Sequence, residues 1–212
     1  MSAAAAAKEI IFVTGNKNKL REVNQILGPV LPNGWSIVNN PIDLPEIQES
    51  DPIEVTRAKC LEAAKQVSEM NGGNPVPVLI EDTSLCFDAL DGLPGPFIKW
   101  FIQKMGTAGL PRLLAGFEDK TAYGVCTFAL CMGHGQEVLI FQGKCKGTIM
   151  DTPRGSSGFG WDPIFQPFDG QIEGAPLRTF AEMGTDKNKI SHRKKALDEL
   201  KKWVSEHPEL FP

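Results

Sequence analysis

The sequence contains no apolar run long enough to cross a bilayer and no recognisable export signal. A transmembrane helix needs ~20 consecutive, mainly apolar residues, and the chain holds no such stretch. The alanine run at 3–7 is shorter than the apolar segment of a signal peptide, is followed at once by Lys8 and Glu9, and lacks the arginines of a transit peptide. We therefore expect residues 1–7 to form a disordered tail and the protein to be cytoplasmic, without a membrane partner.

An excess of basic residues is also missing. The 212 residues include 22 lysines and arginines against 26 aspartates and glutamates, which gives a formal net charge of -4. Proteins that bind nucleic acid independently of its sequence need a broad basic face to neutralise the phosphates. The composition argues against a nucleic-acid partner, and any functional cations must be clustered locally.

Motifs for disulfides, zinc and nucleophilic catalysis are absent as well. The five cysteines form an odd set without a CxxC pair, and the three histidines are widely spread. A structural zinc site or a disulfide framework would need cysteines or histidines at short, paired spacing. We expect reduced, mostly buried thiols, and no Ser-His-Asp or Cys-His order stands out.

What the sequence does contain is a succession of short β-branched runs and amphipathic helices. Strands are predicted at 10–13, 36–38, 76–80, 121–132, 137–143, 146–150 and 164–166. Helices are predicted at about 20–27, 51–70, 97–104, 110–115 and 186–206. No repeat or long linker divides the chain. We expect a single α/β domain over 8–212, with a central mixed sheet flanked by helices and two lobes around a cleft.

The segment TGNKNK at 14–19 joins the first predicted strand to the first predicted helix. A helix N-terminus presents unpaired backbone N–H groups, which with the ammonium groups of Lys17 and Lys19 would attract an anion such as a phosphate. The segment is not a Walker A loop, because GxxxxGK[ST] is absent. A capped turn with two surface lysines explains the same residues equally well.

Glu81 and Asp82 directly follow a predicted buried strand. Polar residues at the carboxyl end of a strand are where α/β sheets place ligands. Two adjacent carboxylates are costly to bury unless they share a cation or a proton, and Mg²⁺ often takes only one or two carboxylates. The alternative is a helix N-cap formed by Asp82 or Ser84. Glu46 lies in an acidic loop, where a solvated carboxylate is the default. It is a candidate metal ligand only together with the other carboxylates.

Two lysines lie among apolar residues. Lys59 comes one turn after Val55 and borders the apolar face of its predicted helix, where a snorkelling lysine would look the same. Lys99 is embedded in FIKWF at 97–101, so its charge must reach a polar pocket or occupy the one solvated face of the helix. The sequence does not choose between these interpretations.

The last predicted helix carries an apolar stripe whose N-terminal continuation is basic. Four residues at helical spacing form the stripe: Ile190, Leu197, Leu200 and Val204. Arg193 and Lys187 extend this stripe toward the N-terminus, so their side chains should point toward the interior. Burying an unpaired charge there costs free energy. We expect an anionic or carbonyl-bearing ligand there, or else a salt bridge to the acidic loops. The neighbouring His192 could cap, pack or bind.

The sequence FGWD at 159–162 lies within a loop rich in glycine and serine. Phe159 and Trp161 offer aromatic faces, and Asp162 accepts hydrogen bonds, a combination that suits stacking on a base and contacting its edge. Aromatic residues that anchor the loop in the core would produce the same pattern.

Each of these features is ambiguous alone, but their order is specific. The blocks in question are TGNKNK at 14–19, IDLPE at 42–46, EDTSLCF at 81–87, GLPGPFIKWF at 92–101, FGWDPIF at 159–165 and KNKISHR at 187–193. In this order they resemble the inosine triphosphate pyrophosphatase family in its eukaryotic form, and LLAGFEDKTAYGVCTFAL at 113–130 agrees with it. The resemblance extends over nearly the whole chain.

The resemblance implies a homodimeric α/β enzyme that hydrolyses ITP, dITP or XTP to the monophosphate and pyrophosphate in a nucleotide-binding cleft, with Mg²⁺ or its substitute Mn²⁺. The residues that would bind the triphosphate are Thr14, Gly15, Asn16, Lys17, Asn18, Lys19, Lys59 and Lys99. Glu46 and Asp82 would bind the metal, Asp82 would also accept the proton, and Thr83 would contact the substrate. The base and sugar would be surrounded by Phe159, Gly160, Trp161, Asp162, Lys187, His192 and Arg193.

Several alternatives stay open at this level. A nucleotide sensor would need the lysines and aromatic residues but not the carboxylates of Glu46 and Asp82. A pyrophosphatase for a pyrimidine or modified triphosphate would carry the same phosphate-binding and metal-binding groups. Because Asp82 is assigned to the metal as well as to the proton, Glu81 or a metal-bound water could share the second task.

Overall fold

The computed structural model describes residues 8–31, 34–156 and 159–210, so the predicted tail 1–7 lies outside the described residues. Within these ranges seven strands form one sheet: β1 (Glu9–Phe12), β2 (Ser36–Asn39), β3 (Val78–Phe87), β4 (Pro94–Gly95), β5 (Thr121–Cys131), β6 (Val138–Ile149) and β7 (Phe165–Pro167). The α-helices of the same ranges are α1 (Lys17–Leu27), α2 (Pro52–Met70), α3 (Ile98–Met105), α4 (Phe180–Met183) and α5 (His192–Glu206).

The sheet is mixed, as predicted. Its strand order is β2-β1-β3-β5-β6-β7, and the short β4 pairs with β3. β1 runs parallel to β2 and to β3, and α1 and α2 provide the long connections that parallel neighbours require. From β3 through β5 and β6 to β7 the strands are antiparallel. β1 pairs with Val78 and Leu79 at the start of β3, so β3 continues well beyond the end of β1.

The first lobe has three layers, because both faces of the sheet carry apolar side chains. On one face, α1 and α5 pack over a core that includes Phe12 and Phe128 of the sheet and Leu200 of α5. On the other face, Ala63 of α2 packs with Ile80 of β3. Asp51 caps α2 by accepting a hydrogen bond from the backbone N–H of Ile53 at 2.8 Å, as the local sequence signals predict.

The far halves of β3, β5 and β6 build a second lobe with its own apolar core. Leu85 and Phe87 of β3 pack there with Phe165 of β7, Ile98 of α3 and Phe180 of α4. A cleft opens between the lobes where β1 ends and β3 continues. The predicted α/β class with two lobes around a cleft is therefore confirmed.

Two strands are longer than predicted. β3 does not end at residue 80 but continues through Glu81 and Asp82, because it pairs with β5 along its full length. The predicted strands 137–143 and 146–150 are one continuous strand, β6, for the same reason. Both carboxylates are thus strand residues, and the alternative of a helix N-cap at Asp82 or Ser84 is wrong.

The last helix begins later than predicted. Gly184–Lys189 forms a 3-10 helix, and Ser191 then caps α5 by accepting a hydrogen bond from the backbone N–H of Lys194 at 3.2 Å. Lys187 accordingly lies on the turn before α5 rather than on the helix. Its inward orientation is confirmed, since Lys187 is 4% exposed and Arg193 is 0% exposed.

All five cysteines are free thiols, and all except the half-buried Cys86 are buried. The prediction of reduced, mostly buried thiols is confirmed. Burial raises the pKa of Cys86 and of Cys145 to about 11, which makes them poor nucleophiles. Across the described ranges, no helix combines the length and apolarity needed to cross a bilayer.

Candidate active site

The cleft between the lobes has a volume of about 500 Å³ and takes its lining from both of them. The predicted site residues that line it are Thr14, Gly15, Asn16, Lys19, Glu46, Lys59, Asp82, Thr83, Lys99, Phe159, Gly160 and Trp161. The predicted residues outside this lining are Lys17, Asn18, Asp162, Lys187, His192 and Arg193. The structure therefore gathers most of the phosphate-side and metal-side residues at one surface and places the base-side cations behind it.

The turn after β1 brings the N-terminus of α1 to the cleft. Asn16 caps the helix by accepting hydrogen bonds from the backbone N–H groups of Asn18 and Lys19 at 3.0 and 3.2 Å. Two of the N–H groups that the sequence suggested for an anion are thus already engaged. Lys19 lines the cleft, whereas Lys17 is exposed outside it, so one of the two predicted ammonium groups faces the site.

β3 sends Glu81 and Asp82 to opposite faces of the sheet, because successive side chains of a strand alternate. Asp82 faces α2, where Lys59 Nζ donates to its Oδ1 at 3.0 Å. Glu81 faces α1 and α5, where it pairs with Lys19 and Arg193. The two adjacent carboxylates therefore do not meet at one cation, and each belongs to a separate cluster.

Glu46 and Asp82 converge on the ammonium group of Lys59. Lys59 Nζ donates to Glu46 Oε2 at 2.9 Å as well as to Asp82, and Lys99 Nζ donates to Glu46 Oε1 at 2.5 Å. Burial alone would raise the pKa of Glu46, but hydrogen bonds and charge from Lys99 and Lys59 outweigh it and lower the pKa. Lys59 is therefore paired rather than snorkelling.

The same two carboxylates suit a divalent cation. Mg²⁺ prefers hard oxygen ligands and commonly binds one or two carboxylates together with waters and substrate phosphates. Glu46 and Asp82 already approach one positive centre. Among the described side chains, no three or more His, Cys, Asp or Glu form a metal-binding group. Two carboxylates alone do not fill the coordination sphere of Mg²⁺, so waters or oxygen atoms of a ligand would complete it.

Below the cleft, six side chains of alternating charge form a continuous series, which we call the ionic chain. Its members, in order, are Lys19, Glu81, Arg193, Glu22, Lys187 and Asp162. Lys19 Nζ and an Arg193 nitrogen each lie 3.3 Å from Glu81 Oε2, and Arg193 also pairs with Glu22. Lys187 Nζ donates to Glu22 Oε1 at 2.9 Å and to Asp162 Oδ2 at 2.7 Å. The formal charges cancel, so each buried ion is compensated by its neighbours.

Protein carboxylates thus satisfy Arg193 and Lys187, as the salt-bridge alternative requires. The partners of Arg193 are not in the acidic loops, however, because Glu22 lies on α1 and Glu81 on β3. Glu22 is a member of this cluster that the sequence motifs did not predict. Its signal is the spacing of three residues from Lys19, which places both side chains on the same face of a helix.

Glu81 is held in its ionised form. Burial alone would raise the pKa of Glu81, but the charges of Arg193 and Lys19 and a hydrogen bond from Thr83 outweigh it and lower the pKa to about 2. Cys126 Sγ also donates to Glu81 Oε1, at 3.4 Å. These contacts keep Glu81 charged as a partner of Lys19 and Arg193.

Trp161 and His192 form part of the aromatic core of the second lobe. The Trp161 ring centroid lies 5.1 Å from that of Phe165 and 5.2 Å from that of His192. Burial, Arg193 and Lys187 lower the pKa of His192 well below its ordinary value, so its ring is neutral. The alternative that buried aromatic residues anchor the loop is correct for Trp161.

Phe159 is the aromatic residue of this loop that connects the cleft with the base-side cations. It is half-buried and lines the cleft. Its ring centroid lies 5.0 Å from Lys187 Nζ and 5.8 Å from the guanidinium carbon of Arg193. Phe159 therefore offers the accessible aromatic face, whereas Asp162 is buried and pairs with Lys187.

We expect Arg193→Met to destabilise the protein, because Glu22 and Glu81 would lose their shared partner. Breaking a buried ion pair from one side costs about 3–5 kcal/mol, and urea denaturation at neutral pH should show a loss of this size. Arg21→Met is the matched control, since Arg21 is exposed on α1. It should change the free energy of unfolding by less than about 0.5 kcal/mol.

The loss caused by Arg193→Met should shrink on acidification. In the native protein, the lowered pKa of Glu81 contributes stability that is present above its ordinary value of 4.5 and is lost as the pH falls toward about 2. Without Arg193 the pKa of Glu81 rises, so protonation relieves the unpaired charge at a higher pH. A stability difference that stays constant between neutral pH and pH ~4 would contradict this linkage.

Known proteins share this sequence and architecture. Residues 10–203 match the Ham1 family. The curated inosine triphosphate pyrophosphatase of Fusarium vanettenii is 48% identical over 202 residues, which cover 95% of this chain and 98% of that protein.

Solved structures agree at lower identity. The structure of a HAM1 protein from Coxiella burnetii has a TM-score of 0.74 at 29% identity and covers 93% of this chain and 98% of its own. A nucleoside-triphosphatase, or dITP/XTP pyrophosphatase, from Mycobacterium abscessus has a TM-score of 0.63 at 29% identity, over 91% of this chain and 98% of its own. With a family match over most of its length and a relative at 48% identity, the chain belongs to the Ham1 family.

Proposed function

We propose that this protein hydrolyses non-canonical purine nucleoside triphosphates, such as ITP, dITP and XTP, to the nucleoside monophosphate and pyrophosphate. It would thereby remove deaminated purines from the nucleotide pool. The observation that carries the proposal is the presence of three lysines and two carboxylates in one cleft: Lys19, Lys59, Lys99, Glu46 and Asp82. The printed activities of the Fusarium vanettenii and Mycobacterium abscessus relatives support the substrate class.

The triphosphate would bind among the three lysines. Lys19 enters the cleft from α1, Lys59 from α2 and Lys99 from α3, so their ammonium groups surround it from three elements. Such fixed charges stabilise the negative charge that develops on the leaving pyrophosphate. Glu46 and Asp82 would hold Mg²⁺, with Mn²⁺ as an alternative, and the bound metal would supply further positive charge to the phosphate oxygens.

The reaction needs a water molecule rather than a nucleophilic side chain. The water oxygen attacks the α-phosphorus, the bond from that phosphorus to the bridging oxygen breaks, and pyrophosphate leaves with the bridging oxygen. Asp82 would accept the proton of the water, because its carboxylate lines the cleft. Glu81 suits this task less well, since its carboxylate is fully buried and already pairs with Lys19 and Arg193.

The base would bind at the end of the cleft marked by Phe159, which would stack on it. Behind Phe159 lie Lys187 and Arg193, which in the free protein pair with carboxylates. A donor of either residue that exchanged a carboxylate for the base would suit the 6-oxo group of hypoxanthine or xanthine. Adenine carries an amino group at that position, so donors would face a donor. A buried polar group left unpaired supports strong discrimination between substrates.

A substrate panel tests the proposed activity. With Mg²⁺ present, kcat/KM measured by pyrophosphate release should be at least ~100-fold higher for ITP, dITP and XTP than for ATP and dUTP. GTP has the same 6-oxo group as ITP but carries an amino group at the 2-position. A lower kcat/KM for GTP than for ITP would therefore show recognition at the 2-position. A preference for dUTP would overturn the base assignment. No turnover of any nucleotide would indicate a sensor that binds without hydrolysis.

The role of Asp82 is tested by Asp82→Asn. This change removes the proton acceptor and one metal ligand, so kcat should fall by about 1000-fold, while nucleotide binding, measured by calorimetry, is retained. Asp151→Asn, at an exposed position outside the cleft lining, should leave kcat unchanged. Undiminished pyrophosphate release by Asp82→Asn would remove this residue from the mechanism.

We also propose that the protein acts as a homodimer, as its resemblance to the pyrophosphatases implies, and that it is located in the cytoplasm, as the sequence composition suggests. Sedimentation velocity at micromolar concentration tests the oligomeric state, and a monomer would count against the dimer. Imaging of the tagged protein in cells tests the location.

A further inference from the structure

The ammonium group of Lys59 lies between the two carboxylates that would hold the metal. It is 2.9 Å from Glu46 Oε2 and 3.0 Å from Asp82 Oδ1. The Lys59 side chain is only 14% exposed, so the ammonium group is held by its partners rather than solvated. A single cation that bridges two carboxylates is the arrangement expected of a metal ion at this position.

The cluster is balanced in charge as it stands. Glu46 and Asp82 bring two negative charges, and Lys59 and Lys99 bring two positive ones. A divalent cation that entered alone would place its charge beside two ammonium groups, and like charges at close range repel. A triphosphate changes this balance, because it brings several negative charges to which the lysines can transfer.

Lys59 has the freedom to make this transfer. A lysine carries its charge on a flexible four-carbon stem with three rotatable donors, and Lys59 lines the cleft in which the triphosphate would lie. Lys19 differs, because its ammonium group is already bound to both the side chain and the backbone carbonyl of Glu81. Lys99 contacts Glu46 and is half exposed.

We propose that Lys59 occupies the cation position in the free protein and moves to the triphosphate when the nucleotide binds, so that the divalent cation enters together with the nucleotide and not before it. This inference rests on the proposed function, because it concerns the metal that the hydrolysis would use. Lys59 thereby keeps the two carboxylates paired and close together until substrate and metal arrive.

The experiment measures Mn²⁺ binding to the full-length protein without nucleotide, by electron paramagnetic resonance of the unbound ion. The native protein should bind Mn²⁺ weakly, and Lys59→Met should bind one ion per chain at least ~10-fold more tightly, because both carboxylates lose the competing charge. Lys99→Met, which frees one oxygen of Glu46, should gain less than ~3-fold. Lys65→Met, at an exposed position on the same helix, should show no gain.

A double variant locates the ion. Adding Glu46→Gln to Lys59→Met should abolish the tighter binding, since one of the two proposed ligands is lost. Thermal melts followed by circular dichroism establish that each variant is folded, and Lys59→Gln replaces Lys59→Met if the latter is not. Equal Mn²⁺ affinity in the native protein and the Lys59 variant would overturn the proposal. So would an equal gain in Lys65→Met, which would show a general effect of net charge.

A second experiment measures Mn²⁺ binding in the presence of a nucleotide analogue. A non-hydrolysable ITP analogue with a methylene group between the α- and β-phosphorus should tighten Mn²⁺ binding to the native protein more than to Lys59→Met, because only in the native protein does the triphosphate also draw a competing ammonium group away from the carboxylates. Equal tightening in both proteins would overturn the displacement of Lys59. Pyrophosphate release from ITP by the native protein is measured separately. Failure of that assay alone would reject the proposed function, whereas failure of the Mn²⁺ experiment alone would reject the role of Lys59.

Discussion

The ionic chain is the constraint on which the rest of this structure depends. Moving an isolated ion into a protein interior costs several kcal/mol even after relaxation, so none of its five buried members could remain charged without its neighbours. The members come from α1, β3, the 3-10 helices Asp162–Ile164 and Gly184–Lys189, and α5. Pairing therefore fixes these distant segments against one another and supports the floor of the cleft. Lys19, where the chain reaches the cleft lining, links this buried framework to the proposed phosphate site.

The alternation of β3 separates two tasks that neighbouring residues perform. Glu81 belongs to the ionic chain, where its pKa of about 2 keeps it charged. Asp82 belongs to the lysine–carboxylate cluster of the cleft, where it meets Lys59. Since a strand directs successive side chains to opposite faces, one dipeptide serves both a permanent structural charge and a proposed catalytic carboxylate. Continuation of β3 beyond β1 gives Asp82 its access to the cleft.

The two clusters differ in how firmly their charges are held. The Glu81 and Arg193 side chains are fully buried, and each contacts several partners. Glu46 and Lys99 are about half exposed, and solvent can replace part of each interaction. The ion pair below the site is thus shielded from solvent, whereas the pair of Glu46 and Lys99 within the site is open to it. An ion pair that solvent reaches can more readily give way to a highly charged ligand.

Local sequence signals predicted most of the elements, and many of the residues proposed for the site line one cleft. Asp51 and Pro52 fix the start of α2, and the apolar stripe of the last helix correctly turned Arg193 inward, because caps and helical periodicity act within a few residues. The order of the sequence motifs, through the family that they resemble, predicted a cleft between two lobes. Tertiary structure alone decided the extent of β3, the pairing of Glu22 with Lys187 and Arg193, and the separation of Glu81 from Asp82. Strand length depends on a partner, β5, some 40 residues away in sequence, and a charge acquires its partner only when distant elements pack together.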